Sequence, residues 1–101
     1  MTLEEKVLML KALGDETRLQ IVSMLSQENL CACQLQEAFS ISGATLSYHL
    51  RLLQESGLIT GKKEGYWTRY FLDKEKLGEL LACLDKLIPS KASNPPIRCN
   101  A

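Results

Sequence analysis

Residues 40–72 read SISGATLSYHLRLLQESGLITGKKEGYWTRYFL. The small polar residues at 40–43 predict a tight turn, and Ser42 is suited to cap the helix that follows it. That helix carries its leucines at a helical spacing, which places them together on the inner face: Leu46, Leu50 and Leu53. Gly57 is the type of residue that ends a helix in a left-handed conformation. The segment thus predicts a turn followed by one amphipathic helix.

The composition changes after Gly57. Residues 58–60 and 66–72 are rich in β-branched and aromatic side chains and predict two strands, joined by a polar tip at residues 62–65. Aromatic residues on a hairpin that packs against helices are mostly core residues, so we expect burial of Tyr66, Trp67, Tyr70 and Phe71. A short amphipathic helix followed by a basic hairpin is typical of a DNA-binding wing.

Four further helices are predicted outside this segment. Residues 3–13 have a helical apolar repeat that Gly14 ends, and Asp15 is suited to cap a second helix. A short third helix surrounds Leu35, and a leucine-rich helix after the hairpin stops before Pro89. The order ααααββα predicts an α+β, mainly α, winged helix-turn-helix with five helices and a two-stranded hairpin wing.

The chain length allows one domain. With 101 residues and 46% hydrophobic residues, the chain is long enough for a modest core. We assign residues 1–89 to a DNA-binding and dimerisation domain. Residues 90–101 have no core-building pattern and are expected to form a flexible C-terminal tail.

Charge is unevenly distributed although the formal net charge is zero. Residues 1–50 carry three positive and six negative side chains, whereas residues 51–72 carry four positive and two negative ones. A local basic patch steers DNA even when the whole chain is neutral. A solvated surface without a partner would give the same counts, so charge alone does not decide between the two.

We expect neither a membrane span nor a signal peptide in this sequence. No apolar run approaches the ~18–20 residues of a transmembrane helix, and the N-terminus lacks a basic start and an apolar middle. We therefore expect a cytoplasmic protein without a membrane partner. In that compartment its four cysteines should be thiols.

The outer face of the helix after Ser42 is the predicted DNA-reading surface. Small polar residues at its start permit close approach to the major groove, and free N–H groups there favour a phosphate oxygen. The predicted contacts on the helix are Ser42, Gly43, Thr45, Ser47, Tyr48, His49 and Arg51. His49, taken alone, could instead lie at the border between the inner and outer faces of the helix without contacting DNA. Predicted hairpin contacts to phosphate or the minor groove are Lys62, Lys63 and Arg69.

Cys31 and Cys33 lie at the entry to the third helix. On a regular helix, side chains two positions apart point about 200° from each other, so two thiols would not reach one small ion. They meet only if Cys31 lies before the helix or if the first turn unwinds. Ligation would then strain the element that supports the recognition helix. Soft thiolates favour soft or thiophilic centres.

These segments together resemble the ArsR/SmtB family of repressors. LKALGDETRLQIV at residues 10–22 resembles the family's opening signature, and LCACQL at residues 30–35 resembles its metal-box segment. LSYHLRLL at residues 46–53 with SGLI at 56–59 resembles the recognition helix and its exit. The family's wing is resembled by GYW at residues 65–67 and YFL at residues 70–72. The resemblance implies a dimer that represses an operon until an inducer binds.

The resemblance also implies an inducer, namely trivalent arsenic or antimony, which prefers a pyramid of three sulfurs. The arsenic-responsive branch resembles Cys-x-Cys-x-x-Cys here, but this chain has Gln36 at the third position. The third sulfur would come from Cys99, less readily from Cys83, or from an outside thiol such as glutathione. Zinc-sensing members place histidine on the last helix, and cadmium- or lead-sensing members add N-terminal cysteines; this sequence has neither.

Apolar surface on the first and last helices predicts a symmetric dimer on a palindromic operator. The expected interface residues are Leu3, Val7, Leu10, Leu80, Leu84 and Leu87. Two alternatives to a metalloid-released repressor are a thiol redox switch and a thiol enzyme or metalloid carrier. The only histidine lies on the recognition helix and no Cys-x-x-Cys motif occurs, which argues against an enzyme. A sensor of another soft metal ion also remains open.

Overall fold

The structure, a computed structural model, describes residues 1–89. Its elements in chain order are α1 (Leu3–Leu13), α2 (Glu16–Gln27), β1 (Leu30–Cys31), α3 (Ala32–Glu37), α4 (Gly43–Glu55), β2 (Ile59–Glu64), β3 (Trp67–Leu72) and α5 (Lys74–Asp85). Five helices and the hairpin follow each other as predicted, which confirms the winged helix-turn-helix. The proposed tail at 90–101 lies outside the described residues.

Local hydrogen bonds define the helix ends that the sequence predicted. The Asp15 carboxylate accepts from the backbone N–H of Arg18 at 3.1 Å at the start of α2. The Ser42 hydroxyl accepts from the backbone N–H of Thr45, also at 3.1 Å, at the start of α4. Such caps satisfy N–H groups that the helix itself leaves unpaired. After α4, Gly57 has a φ of 85°, which a glycine adopts without strain.

The core lies between α4, α2 and the sheet. The leucines predicted on the inner face of α4 are buried, as are residues from every other helix. The largest fully buried side chains are Met9, Ile21, Leu25, Leu35, Leu53, Leu58, Ile59 and Leu80. Burying a side chain of this size contributes about 1.5–3 kcal/mol, so this cluster holds α4 in place.

The sheet differs from the predicted hairpin in two ways. It has three antiparallel strands in the order β1-β3-β2, and the two-residue β1 was not predicted. Glu64 pairs with Trp67, which leaves Gly65 and Tyr66 as the turn. Gly65 has a φ of 66°, as two-residue hairpin turns require. The predicted tip at 62–65 is therefore wrong, and Lys62 and Lys63 belong to β2.

Two of the four hairpin aromatics are exposed, contrary to the expectation that all four are buried. Tyr66 at the turn is fully exposed and Trp67 is 59% exposed. Tyr70 and Phe71 are partly buried, and Tyr70 packs against the core. The difference arises because the hairpin extends beyond the helices at its turn, so residues near the turn have no layer to pack against.

The predicted dimer residues divide between surface and core. Leu3, Val7, Leu10 and Leu87 are exposed. Leu84 packs partly against the core, and Leu80 is only 1% exposed. Leu80 is therefore a core residue of the single chain, because α5 turns this position towards the interior. The adjacent Leu81 is 56% exposed, and Leu8 on α1 is exposed as well; the prediction had included neither. None of the helices within residues 1–89 is long and apolar enough to cross a bilayer.

Candidate nucleic-acid interface and thiol site

The outer face of α4 presents most of the predicted DNA contacts to solvent. The Arg51 side chain is 64% exposed, and its guanidinium carbon lies 5.5 Å from the centre of the Tyr48 ring. Its Nε is 4.0 Å from the Glu55 carboxylate, an exposed pair of the kind that contributes little. The further exposed positions at this end are Ser42, Gly43, Thr45 and Ser47. Apart from His49, the predicted helical contacts thus lie on one accessible surface.

His49 differs from the other predicted contacts. Its side chain is 12% exposed, and its Nδ1 lies 3.0 Å from Arg18 Nη1 and 3.9 Å from the Asp15 carboxylate. Arg18 also donates from Nε to the carbonyl of Ala12 at 2.7 Å. Since guanidinium only donates, Nδ1 of His49 accepts. This edge of α4 packs against the junction of α1 and α2, as expected of a boundary residue, and the contact of His49 with DNA stays a prediction.

Asp15 completes the contact between the α1–α2 junction and α4. The pKa of its carboxyl is lowered, chiefly because the backbone N–H of Arg18 donates to it and additionally because of the nearby Arg18 charge. Asp15 is therefore ionised at neutral pH, as an N-cap carboxylate should be. Arg18 was missed as a positioning residue because it lies far from α4 in sequence.

The two wing lysines lie on β2 and are exposed. Consecutive residues of a strand point to opposite faces, so Lys62 and Lys63 present charge on both sides of the hairpin. Lys62 Nζ lies 5.4 Å from the centre of the Phe71 ring. This arrangement suits contact with phosphates, which require no particular base sequence.

Arg69 lies on β3 directly opposite Lys62 of β2. It pairs across the sheet with Cys31. Its Nε donates to the Glu64 carboxylate at 3.4 Å, and its Nη1 donates to the carbonyl of Asn29 at 3.4 Å. These contacts hold the guanidinium over β1. Arg69 therefore lies beside the thiols, and its contact with DNA stays a prediction.

Cys31 lies before α3, which is one of the two conditions under which the two thiols can reach one ion. It is the N-cap of α3, with an extended backbone (φ −87°, ψ 163°), and so lies before the helix. Its N–H donates to the side-chain oxygen of Gln34 at 2.9 Å. Both thiols are free, Cys31 being buried and Cys33 exposed. Both cysteines line the same pocket.

The two thiols have opposite acidities. The hydrogen bond from the Cys33 thiol lowers the pKa of Cys31, and the backbone N–H of Gln34 lowers it further. The same hydrogen bond raises the pKa of Cys33, as does the charge that develops on Cys31. The thiolate therefore forms first at Cys31, beside the N–H groups that begin α3. Thiolate, rather than thiol, is the form that attacks an electrophile or binds a metal.

A pocket of about 270 Å³ opens beside the thiols. One wall is the start of α3, and the other is the outward face of the wing strands. The lining residues are Cys31, Cys33, Gln34, Glu64, Trp67 and Arg69. Gln34, Glu64 and Trp67 were not predicted at this site. Their presence depends on the pairing of β1 with β3, for which the sequence gives no local signal.

The predicted third sulfur has no confirmed position. Cys83 is buried on α5, at the edge of the core, and is disulfide-bonded, which corrects the expectation that all four cysteines are thiols. Cys99 lies outside the described residues. Within residues 1–89 no group of three or more His, Cys, Asp or Glu side chains is arranged to hold a metal ion. Both assignments of a third ligand stay predictions.

The sequence model described as "Bacterial regulatory protein, arsR family" matches residues 15–60, from the cap of α2 into β2. An arsenical resistance operon repressor from Staphylococcus xylosus is 40% identical over 85 residues, which cover 84% of this chain and 82% of that protein. The chain belongs to the ArsR family. This family and its fold are those of DNA-binding transcriptional regulators and not of enzymes. The resemblance to the ArsR/SmtB family and the prediction that the protein is not an enzyme are both confirmed.

Two further proteins resemble this ArsR-family chain, one named for cadmium resistance and one solved as a homodimer. A cadmium resistance transcriptional regulatory protein CadC homolog from Staphylococcus aureus is 43% identical over 72 residues, covering 70% of this chain and 60% of that protein. The solution structure of a homodimeric winged helix-turn-helix domain, Mb0332 from Mycobacterium bovis, superposes with a TM-score of 0.71. It is 28% identical, with 82% of this chain and 77% of that chain covered.

Proposed function

We propose that this ArsR-family regulator is a homodimeric repressor that leaves its operator when trivalent arsenic or antimony binds Cys31 and Cys33. The observation that carries the proposal is that two free thiols, one at the N-cap of α3 and one in its first turn, line the same pocket. The relative named as an arsenical resistance operon repressor supports the choice of inducer. The protein acts in the cytoplasm, where thiols stay reduced.

DNA binding is assigned to α4 and the wing. The exposed face around Tyr48 and Arg51 enters the major groove, where an arginine can read a base edge or hold a phosphate. Lys62 and Lys63 contact phosphates beside it. A two-fold dimer presents two copies of α4 about 34–36 Å apart, which matches a palindromic operator.

Inducer capture is a ligand exchange without redox change. The thiolate of Cys31 attacks trivalent arsenic, an As–O bond breaks, and the departing hydroxide takes a proton to become water. Cys33 then forms a second As–S bond. A second As–O bond breaks, and the departing hydroxide takes the Cys33 thiol proton to become water. A third exchange completes the pyramid with Cys99 or a small outside thiol; Cys83 could take part only as a reduced thiol, since it is disulfide-bonded in the structure. Soft thiolate ligands favour this centre over hard cations.

Two alternative signals use the same thiols. The lowered pKa of Cys31 favours oxidation by peroxide as well, which would make the protein a redox-responsive repressor. The relative named for cadmium resistance keeps another soft metal ion as a second candidate. The inducer distinguishes these functions, whereas the DNA-binding surface is common to all of them.

A gel shift with the protein's own upstream DNA tests the proposal. We expect the reduced protein to bind and arsenite or antimonite to release it at low micromolar concentration, with cadmium and peroxide much less effective. Release by peroxide alone, reversed by a thiol reductant, would replace the proposal with the redox function. Failure to bind any DNA would contradict the repressor assignment itself.

The dimer is expected to use the exposed apolar side chains of the first and last helices. Leu3, Val7 and Leu10 leave α1 with an unburied apolar stripe, and Leu81 on α5 and Leu87 just after it are exposed as well. The Mycobacterium bovis relative, described as homodimeric, supports this arrangement. Sedimentation at micromolar concentration should give twice the mass of the chain. A monomer under these conditions would contradict the proposed dimer.

A further inference from the structure

The thiol pair opens onto a pocket whose other wall carries an exposed indole. Trp67, Arg69 and Cys31 lie on one face of the sheet, because Cys31 is paired with Arg69 and Trp67 is two residues before Arg69 on β3. Glu64, which pairs with Trp67, completes this wall. The space between this wall and the thiols is about 270 Å³, enough for a substituent of several carbon atoms.

The donor set of the pocket is limited to two sulfurs. No third His, Cys, Asp or Glu joins the thiols in a metal-binding group within residues 1–89. A trivalent arsenic that carries one carbon substituent has only two exchangeable positions, so two thiolates complete its coordination. The substituent itself needs an apolar or aromatic surface, and the 59% exposed ring of Trp67 lies beside the thiols.

We propose that the pocket between Cys31, Cys33 and Trp67 binds monosubstituted organic trivalent arsenicals, with the organic group against the indole. The inference rests on the proposed function, since it uses the same thiol pair, and it adds a subsite for the third position of the inducer. The reaction is an exchange in which both As–O bonds are replaced by As–S bonds. For phenylarsine oxide, two thiols give one dithioarsenite and one water, and arsenic stays trivalent.

The subsite also reaches the DNA-binding wing. Trp67 and Arg69 belong to β3, and β3 pairs with the strand that carries Lys62 and Lys63. An organic group held against Trp67 would therefore lie on the strand next to both lysines. We expect organic arsenicals to release DNA through the wing as well as through α3.

Binding of phenylarsine oxide and of arsenite is measured by calorimetry, with a phosphine reductant because dithiols would compete. Trp67→Ala should weaken phenylarsine oxide binding about tenfold, the loss of an aromatic contact and its buried area. Arsenite affinity should change less than twofold. The matched control is Tyr66→Ala, since Tyr66 is the neighbouring exposed aromatic but does not line the pocket; it should change neither affinity.

Two further variants keep the test decisive. Trp67→Phe retains an aromatic face and should restore most of the affinity for phenylarsine oxide. The double variant Cys31→Ser Cys33→Ser measures how much phenylarsine oxide binds to the other thiols. Trp67 is the only tryptophan of the chain, so its emission in the wild type should change when phenylarsine oxide binds. Equal effects of Trp67→Ala on both ligands, or none on either, would overturn the subsite. Failure of the proposed function is distinct: arsenite would then not release the wild-type protein.

Discussion

Serine in place of Cys31 or Cys33 is expected to give a repressor that still binds its operator but no longer leaves it when arsenite is added. In the wild type, an inducer that prefers the DNA-free form lowers operator affinity by about 1–3 kcal/mol, or roughly 5- to 150-fold. Removing either thiolate removes the main part of inducer binding. Arsenite should then change operator affinity of each variant less than twofold.

The fold should survive both substitutions. Cys31 is the N-cap of α3, where serine is among the preferred residues. Gln34 at the third helical position already accepts from the Cys31 N–H, so Cys31→Ser gives the usual serine–glutamine capping box. Cys33 is exposed, and serine is close to cysteine in size. Loss of operator binding without arsenite would therefore contradict this assignment of the two thiols.

The same titration assigns the third sulfur. We expect Cys99→Ser to blunt the arsenite response more than Cys83→Ser, because Cys83 is buried on α5 and is disulfide-bonded in the structure. If neither variant changes the response, the protein supplies two sulfurs and a small outside thiol completes the pyramid. Arsenite titrations with and without glutathione separate these two outcomes.

Arg51→Ala and Tyr48→Ala are each expected to weaken operator binding by about 1–3 kcal/mol, roughly 5- to 150-fold in Kd. Both side chains are exposed, and neither belongs to the core that holds α4. The thermal midpoint should therefore stay within a few degrees of the wild type. Fluorescence anisotropy with labelled operator gives the affinity, and circular dichroism gives the midpoint.

Glu55→Ala is the matched control for this surface. Glu55 is exposed on α4 and lies 4.0 Å from Arg51, a pair worth about 0–1 kcal/mol. Removing its negative charge should leave operator affinity unchanged or slightly higher. Wild-type affinity in both Arg51→Ala and Tyr48→Ala would show that α4 does not read the operator through this face.

Features that depend on neighbouring residues could be predicted from the sequence. The caps at Asp15 and Ser42, the left-handed Gly57 and the inner leucines of α4 each follow from a few adjacent positions. Their physical cause is local, namely a side chain that satisfies a nearby N–H or a spacing that matches the helical turn. The order of helices and hairpin was therefore accessible.

Features that depend on pairing between distant segments were not accessible. β1 has two residues and exists because it pairs with β3, about 40 positions later. That pairing brings Trp67 and Arg69 to the thiols, a proximity that no local pattern of the sequence indicates. The contacts of His49 were not accessible for a similar reason, since its partners Arg18 and Asp15 lie at the start of α2. Leu80 and Leu81 both fit an apolar helix, and only packing tells which one is buried.

The most direct test of the central claim compares the wild type with the double variant Cys31→Ser Cys33→Ser on labelled operator DNA. Anisotropy is followed while arsenite is added to each preformed complex. The account predicts that the wild type dissociates and that the double variant stays bound over the same arsenite range, from equal starting affinities. A double variant that dissociates like the wild type would contradict the thiol site and the inducer inferred from it.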